Sequence, residues 1–195
     1  MTDKLTSLQR HKCMSSIRGK NTKPEILVRK GLQTRGFRFR LHNKKLPGSP
    51  DIVLPKYGVA IMVNGCFWHG HKGCRYATKP KSNVEFWEAK IARNRHRDEV
   101  TKAHLEALGW TVITIWECEL RTSSLLDDRL NTLAEEIRRA YEIKKIKDSF
   151  NRISRSAAIC EREELLRRQA KLEAEINVLY LIPKRIKRDS EVLIE

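Results

Sequence analysis

The sequence lacks an apolar run of about 18 residues, which a membrane-spanning helix requires. Met1 to Arg10 contains no apolar stretch either, so we expect no secretory signal peptide and a cytoplasmic protein. Internal repeats and low-complexity tracts are also absent. The 40% of hydrophobic residues and the four tryptophans are nevertheless enough for a packed core. The composition therefore predicts a folded protein without membrane spans.

Acidic residues are scarce in the first 120 positions, which hold 23 lysines and arginines against 10 aspartates and glutamates. Residues 121–195 hold 17 basic and 14 acidic residues, so most of the net charge of +16 lies in the first part of the chain. A concentrated positive field attracts a polyanion, and the phosphate backbone of nucleic acid is the commonest one. An anionic membrane surface is the rival partner, but the chain has no basic amphipathic N-terminal helix to bind it.

Turn and cap signals divide the first 120 residues into helices and strands. Asn21 to Glu25 combines a capping residue, a proline and an acid, which predicts a helix start, and Gly36 predicts the helix end. A long basic helix is predicted over residues 83–108, closed by Gly109. Alternating or β-branched runs predict strands at 37–41, 51–54, 59–63 and 110–116. This order predicts an α/β domain with a mixed central sheet flanked by helices.

The character of the sequence changes at about residue 123. Apolar residues then recur at helical spacing among charges, with a predicted break at Ser149 to Ala158. We interpret residues 123–195 as a charged helical extension of two amphipathic helices, which either pack on the domain or mediate contact with another chain. Residues 1–122 form the predicted folded domain, whose polar residues 1–20 are expected to be flexible until bound.

The five cysteines are an odd number in a protein expected to be cytoplasmic, where disulfides are rare. Cys66, His71 and Cys74 lie within nine residues, and Cys118 follows a distant predicted strand. Three thiolates and one imidazole satisfy a closed tetrahedral zinc site, which shapes a fold and leaves no open position for water. The alternative is a set of buried free thiols. We predict a structural zinc site, with the other two cysteines outside it.

Asp51 opens a short apolar strand that turns back into a second buried strand ending at Val63. A magnesium-dependent nuclease needs a carboxylate fixed on rigid backbone, because magnesium demands near-octahedral oxygen geometry. A main-chain carbonyl at a strand end is a further hard oxygen ligand. His69 follows closely enough to reach the same pocket as a general base. The alternative for Asp51 is an ordinary turn aspartate.

Three motifs stand out together: Pro50-Asp51, Gly65 to His71 and Trp116-Glu117-Cys118. With residues 14–18, 20–25 and 85–87, they resemble the very short patch repair (Vsr) mismatch endonucleases. The resemblance covers roughly residues 10–121. That family has a variant of the restriction-endonuclease (PD-(D/E)XK) fold, so the resemblance implies a restriction-endonuclease-like endonuclease domain over residues 1–122. The helical extension lies outside the resemblance.

The resemblance also implies roles for individual residues. Magnesium is expected to be held by Asp51 and the main-chain carbonyl of Val63. His69 is expected to act as the base on the attacking water, and Glu25 to support the hydrated metal. The expected zinc ligands are Cys66, His71, Cys74 and Cys118. The residues expected to contact DNA are Phe67, Trp68, Trp87, Asn64, Arg18, Lys20, Arg93 and Arg95.

The three aromatic residues are expected to form a wedge that enters the base stack beside the mismatch. Flat apolar side chains can offset the cost of unstacking at a T·G wobble pair. The alternative is that they belong to the hydrophobic core. At Asn64 the family commonly has histidine or another residue. This departure puts any proton transfer there in doubt, because an asparagine cannot exchange a proton at neutral pH.

The resemblance implies an enzyme that nicks one strand 5′ to the T of a T·G mismatch, as left by deamination of 5-methylcytosine. Its expected partner is double-stranded DNA, with functional links to a DNA cytosine methyltransferase and a repair polymerase. We expect a monomer on DNA, in the bacterial cytoplasm and associated with the nucleoid. Two alternatives remain: a restriction-like nuclease that cuts both strands of an intact site, and a zinc-stabilised DNA-binding module without cleavage. Residues 59–63 contain no acid and no lysine, which weakens the restriction-like alternative.

Overall fold

The computed structural model describes residues 6–15, 19–78 and 80–191, with side chains except at positions 7, 10, 13, 14 and 176–191. The predictions for Arg18 and for the Cys13 side chain therefore fall outside the described residues. The helices are α1 (Ser7–Ser15), α2 (Lys23–Thr34), α3 (Val84–Ala107) and α4 (Ser123–Glu191). The strands are β1 (Arg40–Leu41), β2 (Ile52–Leu54), β3 (Val59–Asn64) and β4 (Thr111–Trp116), and a 3-10 turn spans Glu117–Leu120.

Helix α2 begins where the sequence predicts a helix start, and the structure shows a capping box there. The Thr22 hydroxyl accepts from the Glu25 amide, while the Glu25 carboxylate accepts from the Thr22 amide. Pro24 occupies the first turn, where its missing N–H costs no hydrogen bond. Val28 and Leu32 lie one turn apart on the buried face of the helix.

The four strands form one mixed sheet in the order β1-β2-β3-β4. The β1–β2 and β2–β3 pairs are antiparallel, and β3 pairs with β4 in parallel. A parallel pair needs a crossover connection, and α3 lies within the chain between β3 and β4. The predicted α/β class, with a mixed sheet flanked by helices, is confirmed.

Side chains alternate between the two faces of β3 and β4. Val59, Ile61, Ile113 and Ile115 belong to the main hydrophobic core. The core also contains residues of α2 and the first part of α4, among them Val28, Leu32, Leu130, Leu133 and Ile137. The intervening positions Met62, Asn64, Val112, Thr114 and Trp116 line a cavity together with residues of α3. One face of the sheet therefore builds the core, and the other faces α3.

Contacts divide the chain into two compact units, Met1–Lys144 and Lys145–Glu195. In the first unit, α4 packs on the domain through the core residues named above. In the second unit, every side chain described from Lys145 to Glu175 is exposed. Within the described residues, no helix combines the length and apolar character that crossing a membrane requires.

Three local predictions differ from the structure. The predicted break at Ser149 to Ala158 is wrong, because α4 continues through it. Serine and asparagine lower helix propensity by only a few tenths of a kcal/mol each, and this segment contains neither proline nor glycine. The strand predicted over 37–41 is reduced to Arg40–Leu41. Helix α1 lies in a segment for which the sequence predicts no helix.

Gly31 provides a test of the packing between α2 and α4. A Cβ atom added at this position would lie 2.2 Å from Cδ1 of Leu130. Gly31→Ala should therefore destabilise the protein by about 1–3 kcal/mol, although alanine normally stabilises an α-helix relative to glycine. Urea unfolding measures the change. In a double-mutant cycle, Leu130→Ala should remove the clash, so that the double variant costs less than the two single changes added together. Stabilisation by Gly31→Ala alone would contradict this packing.

Candidate active site and metal centre

A groove of about 820 Å³ opens where β3 ends and α3 passes. Its walls come from the start of α2, the residues around Asp51, the end of β3 and the middle of α3. Seven predicted site positions line the groove: Lys20, Glu25, Asp51, Val63, Asn64, Trp68 and His69. The structure therefore brings the residues of the predicted magnesium and base sites to one cavity, although they come from separate parts of the chain.

Asp51 precedes β2 and is fixed to the neighbouring strand by a hydrogen bond. The backbone N–H of Val63 donates to its Oδ2 atom at 2.8 Å. Burial raises the pKa of Asp51, and the nearby Glu25 carboxylate raises it further. The Val63 hydrogen bond and the positive charge of Arg29 lower the pKa in part. A rigid, poorly solvated carboxylate of this kind is well suited to a cation. The predicted role of the Val63 carbonyl stays a prediction.

Glu25 lies beside Asp51 and is almost fully buried. Its Oε1 accepts from the backbone and the hydroxyl of Thr22, and its Oε2 accepts from the Asn21 amide and the Arg29 guanidinium. A carboxylate offers about four lone-pair positions, so these donors use all of them. Glu25 therefore caps α2 and pairs with Arg29, and its predicted support of a hydrated metal stays a prediction.

His42 is a groove residue that the sequence interpretation passed over, because no motif surrounds it. Its backbone N–H donates to the Asp51 carbonyl at 3.3 Å, directly after the β1–β2 register pair Leu41↔Ile52. The same pairing places its ring between Glu25 and Asp51. Glu25, His42 and Asp51 together form one of two groups whose ligand atoms lie within 4.8 Å of one another in the described residues.

His69 pairs with a carboxylate on α3 that the sequence did not reveal. Its Nδ1 atom makes a short hydrogen bond with Oδ2 of Asp98. On the same helix, Asn94 donates to the Trp68 carbonyl at 2.9 Å and so ties the loop after β3 to α3. In the sequence, Asn94 and Asp98 are separated by about one helical turn, which indicates that they share one face of α3. That this face contacts the loop after β3 follows only once the topology is known.

The four predicted zinc ligands also converge. Cys66, His71, Cys74 and Cys118 form the second group of ligand atoms within 4.8 Å of one another. Nδ1 of His71 lies 3.7 Å from Sγ of Cys66 and 3.5 Å from Sγ of Cys118. A tetrahedral zinc with ordinary Zn–S and Zn–N bonds separates sulfur and nitrogen by roughly 3.6 Å. The His71 ring stacks on Trp116 with 4.0 Å between the centroids, which fixes the orientation of the imidazole.

The electrostatics of this cluster favour a bound cation. Burial raises the pKa of Cys66, and burial together with the two neighbouring thiols raises the pKa of Cys118 to about 12. Backbone hydrogen bonding, first from Tyr76, lowers the pKa of Cys74. Three thiolates cannot stay ionised this close together at neutral pH without a compensating charge. The group of four ligands is therefore a candidate metal centre.

An aromatic cluster lies beside the groove. The rings of Phe67, Trp68 and Trp87 contact one another with centroid distances between 5.1 and 5.9 Å. All three are partly exposed, and none belongs to the main hydrophobic core. Lys90 lies 5.4 Å from the centroids of both tryptophan rings. The structure therefore contradicts the alternative that these three aromatic residues belong to the hydrophobic core.

Most of the remaining polar and basic positions line one or both of two cavities. Asn64 is 7% exposed at the end of β3 and borders both of them. Lys20 lines the groove, and Arg95 lines the second cavity, between α3 and the sheet. Arg93 is exposed on α3 outside both. Arg97, which the sequence interpretation did not single out, lines the groove with a side chain that is 66% exposed.

The raised pKa of Asp51 predicts that this carboxylate costs stability. A folded-state pKa above the ordinary value means that stability falls as pH rises through that window, so the ionised form is unfavourable at neutral pH. Asp51→Asn should raise Tm by a few degrees at neutral pH without divalent metal. The difference should shrink as the pH falls through the ordinary range of aspartate, because the raised pKa of Asp51 leaves the folded protein increasingly protonated there. Scanning calorimetry measures both, with the exposed Asp127→Asn as control. A lower Tm for Asp51→Asn at neutral pH would contradict the account.

Comparisons with known proteins identify the family of the chain. The profile of the family described as DNA mismatch endonuclease Vsr matches residues 2–75. The type II nicking enzyme V.XorIIP of Xanthomonas oryzae pv. oryzae is 47% identical over 135 residues, which are 69% of this chain and 98% of the relative. V.NmeAIP of Neisseria meningitidis, also a type II nicking enzyme, is 46% identical over 140 residues, 72% and 99% of the two chains. The DNA mismatch endonuclease Vsr of Escherichia coli K12 is 37% identical over 137 residues, 70% and 87%. The chain therefore belongs to the Vsr family of DNA mismatch endonucleases.

Proposed function

We propose that this protein is a magnesium-dependent endonuclease that nicks one DNA strand 5′ to the T of a T·G mismatch, the product of 5-methylcytosine deamination. The observation that carries the proposal is the groove in which a buried carboxylate, Asp51, and a carboxylate-bound imidazole, His69, lie together. The names of the relatives, a mismatch endonuclease and nicking enzymes, support the substrate and the single-strand cut.

Magnesium fits the residues around Asp51. One oxygen of this carboxylate accepts the Val63 N–H, which leaves Oδ1 for a cation. Magnesium usually binds one or two carboxylates and completes its shell with water and substrate phosphate. Asp51 and the Val63 carbonyl are the proposed protein ligands. When bound, the cation supplies stabilisation of the negative charge that develops on the phosphate.

His69 is the proposed general base. Its Nδ1 atom is engaged by Asp98, so Nε2 is the ring atom that takes a proton from the attacking water. Asp98 holds the ring orientation and stabilises the imidazolium that forms. Both groups line the groove with Asp51, so the same cavity contains the proposed cation ligand and the proposed base. We propose that Glu25 supports the hydrated metal by fixing this wall of the groove through Arg29 and the start of α2.

The cluster of Phe67, Trp68 and Trp87 is the proposed wedge at the mismatch. Partly exposed rings next to the groove can enter an unstacked base step without leaving a hole in the core. Lys90 above the tryptophans adds a positive charge for the adjoining phosphates. Further phosphate contacts are proposed for Asn64, Arg18, Lys20, Arg93 and Arg95.

The broader proposals rest on family membership. We propose the restriction-endonuclease-like variant fold for residues 1–122 and a helical extension for residues 123–195, although the compact units divide at residues 144 and 145. The protein is proposed to act on DNA as a monomer in the bacterial cytoplasm, at the nucleoid. A cytosine methyltransferase would create the 5-methylcytosine, and a repair polymerase would fill the site after nicking.

Zinc is the proposed ion of the Cys66-His71-Cys74-Cys118 centre, because three thiolates and one imidazole form a common closed zinc site. The protein purified without chelator should contain one zinc per chain. Cys118→Ser should lose most of the zinc. The accompanying loss of about 3 kcal/mol in the free energy of unfolding should lower Tm by roughly 6–12 °C. Inductively coupled plasma mass spectrometry measures the zinc content, and thermal unfolding measures Tm. The exposed Cys160→Ser is the matched control and should change neither, whereas equal zinc in both variants would refute the ligand set.

The nicking proposal is tested with end-labelled duplexes that contain either a T·G mispair or the matched C·G pair, pooled over several sequence contexts. Wild type should cut only the T strand of the mispaired duplex, with magnesium and not with EDTA. Asp51→Asn should abolish cutting, and His69→Ala should slow it by about 10²–10⁴-fold. His104→Ala, an exposed histidine of α3, is the matched control and should cut normally.

Two outcomes would contradict the proposal. Cutting of both strands in the matched duplex would identify a restriction-like nuclease. Binding of the mispaired duplex without cutting would identify a DNA-binding module, and the roles of Asp51 and His69 would then be wrong.

A further inference from the structure

His42 lies in the wall of the groove, next to the proposed cation ligand. Its side chain is 18% exposed, with Nε2 3.7 Å from Oε2 of Glu25 and Nδ1 3.9 Å from Oδ1 of Asp51. By proximity alone, these three side chains form a candidate metal-binding group. The hydrogen bonds around them assign His42 a different role.

Arg29 decides the protonation pattern of the His42 ring. Its Nη2 atom lies 3.0 Å from Nε2 of His42, at hydrogen-bond distance. A guanidinium has donors only, so Nε2 must be the acceptor and carries no proton. The neutral ring then carries its proton on Nδ1. Neither ring nitrogen is available to a metal in this arrangement, because the Nε2 lone pair is used and Nδ1 is protonated.

Arg29 is itself held firmly in place. It donates to the buried Glu25 carboxylate and to Oδ1 of Asn21, and its side chain is 13% exposed. Glu25 is in turn fixed by the donors at the start of α2. The orientation of the His42 ring therefore follows from the capping box of α2 and is set before any ligand binds.

The Nδ1 proton of His42 has no acceptor among the described residues, which indicates that a ligand in the groove accepts it. Hydrogen bonds made by the His42 ring to the described residues use Nε2, and the 3.9 Å from Nδ1 to Asp51 is too long for one. A carboxylate repels an anion. A hydrogen-bond donor beside the carboxylate can therefore hold an anionic acceptor that the carboxylate itself cannot bind. In this groove, with Lys20, Lys90 and Arg97 on its walls, that anion is a DNA phosphate.

We propose that His42 is a substrate-contacting residue of the nicking reaction. Arg29 holds it as the neutral Nδ1–H tautomer, and Nδ1–H donates to an oxygen of the phosphate that lies against Asp51. This inference rests on the proposed function, and it adds to the Asp51 site a fixed donor for the phosphate. The contact places the phosphate without adding a positive charge that would compete with the cation.

Nuclear magnetic resonance tests the proposal without cleavage. In ¹⁵N-labelled protein, long-range proton–nitrogen correlation distinguishes the two neutral tautomers of each histidine, and His42→Asn identifies the His42 signals. The free protein should show the Nδ1–H tautomer at His42. Adding a T·G duplex in EDTA should shift the His42 Nδ1 resonance, while the exposed His104 keeps its own. An Nε2–H tautomer, or a His42 resonance unchanged by saturating DNA, would overturn the proposal.

Single-turnover nicking supplies the second readout. His42→Ala removes a hydrogen bond to a charged group, so the rate at saturating DNA should fall by about 10- to 100-fold. His42→Asn places an amide N–H where Nδ1–H lies and should retain most of the activity. Equal loss in the two variants would contradict a donor role. If wild type does not nick the mispaired duplex, the proposed function fails, and the resonance measurements still decide the tautomer and the DNA contact.

Discussion

The parallel pairing of β3 with β4 is the constraint on which the arrangement of the site depends. Their register pairs Asn64 with Trp116, so both strands end at the same edge of the sheet. The chain after β3 supplies Cys66, and the chain after β4 supplies Cys118, which brings together thiols that are far apart in the sequence. The crossover helix α3 then passes over the same edge and provides Asp98 for His69.

The loop after β3 is held at two points. The group of three cysteines and one histidine gathers its residues on one side, and α3 binds its backbone through Asn94 on the other. Phe67, Trp68 and His69 lie between the candidate ligands Cys66 and His71 along the chain. This loop thus carries the proposed base and two rings of the proposed wedge, while the third ring, Trp87, belongs to α3.

The site concentrates groups that are unfavourable in the folded protein. Burial raises the pKa of Asp51, and neighbouring thiols and burial raise that of Cys118 to about 12. The hydrophobic core of α2, α4 and the sheet must offset these costs, as is usual for functional sites. Cations at the two centres would relieve the same repulsion, so metal binding and stability are coupled in this account.

Much of the fold and of the site could be predicted from local sequence signals. The residues Asn21 to Glu25 gave the start of α2, and Gly36 and Gly109 gave the ends of α2 and α3. The spacing of Cys66, His71 and Cys74 gave most of the candidate metal centre. Asp98 and His42 could not be found this way. Asp98 meets His69 only through the crossover, and His42 meets Asp51 only through the register of the β1–β2 hairpin. The predicted break in α4 failed because weak helix formers alone rarely end a helix.

X-ray absorption at the zinc edge tests the central claim most directly, namely that an S₃N metal centre closes the loop that carries Phe67, Trp68 and the proposed base His69. The account predicts a first shell of three sulfurs at about 2.3 Å and one nitrogen at about 2.0–2.1 Å in the folded protein. A shell of oxygen and nitrogen alone, or folded and active protein without zinc, would contradict it.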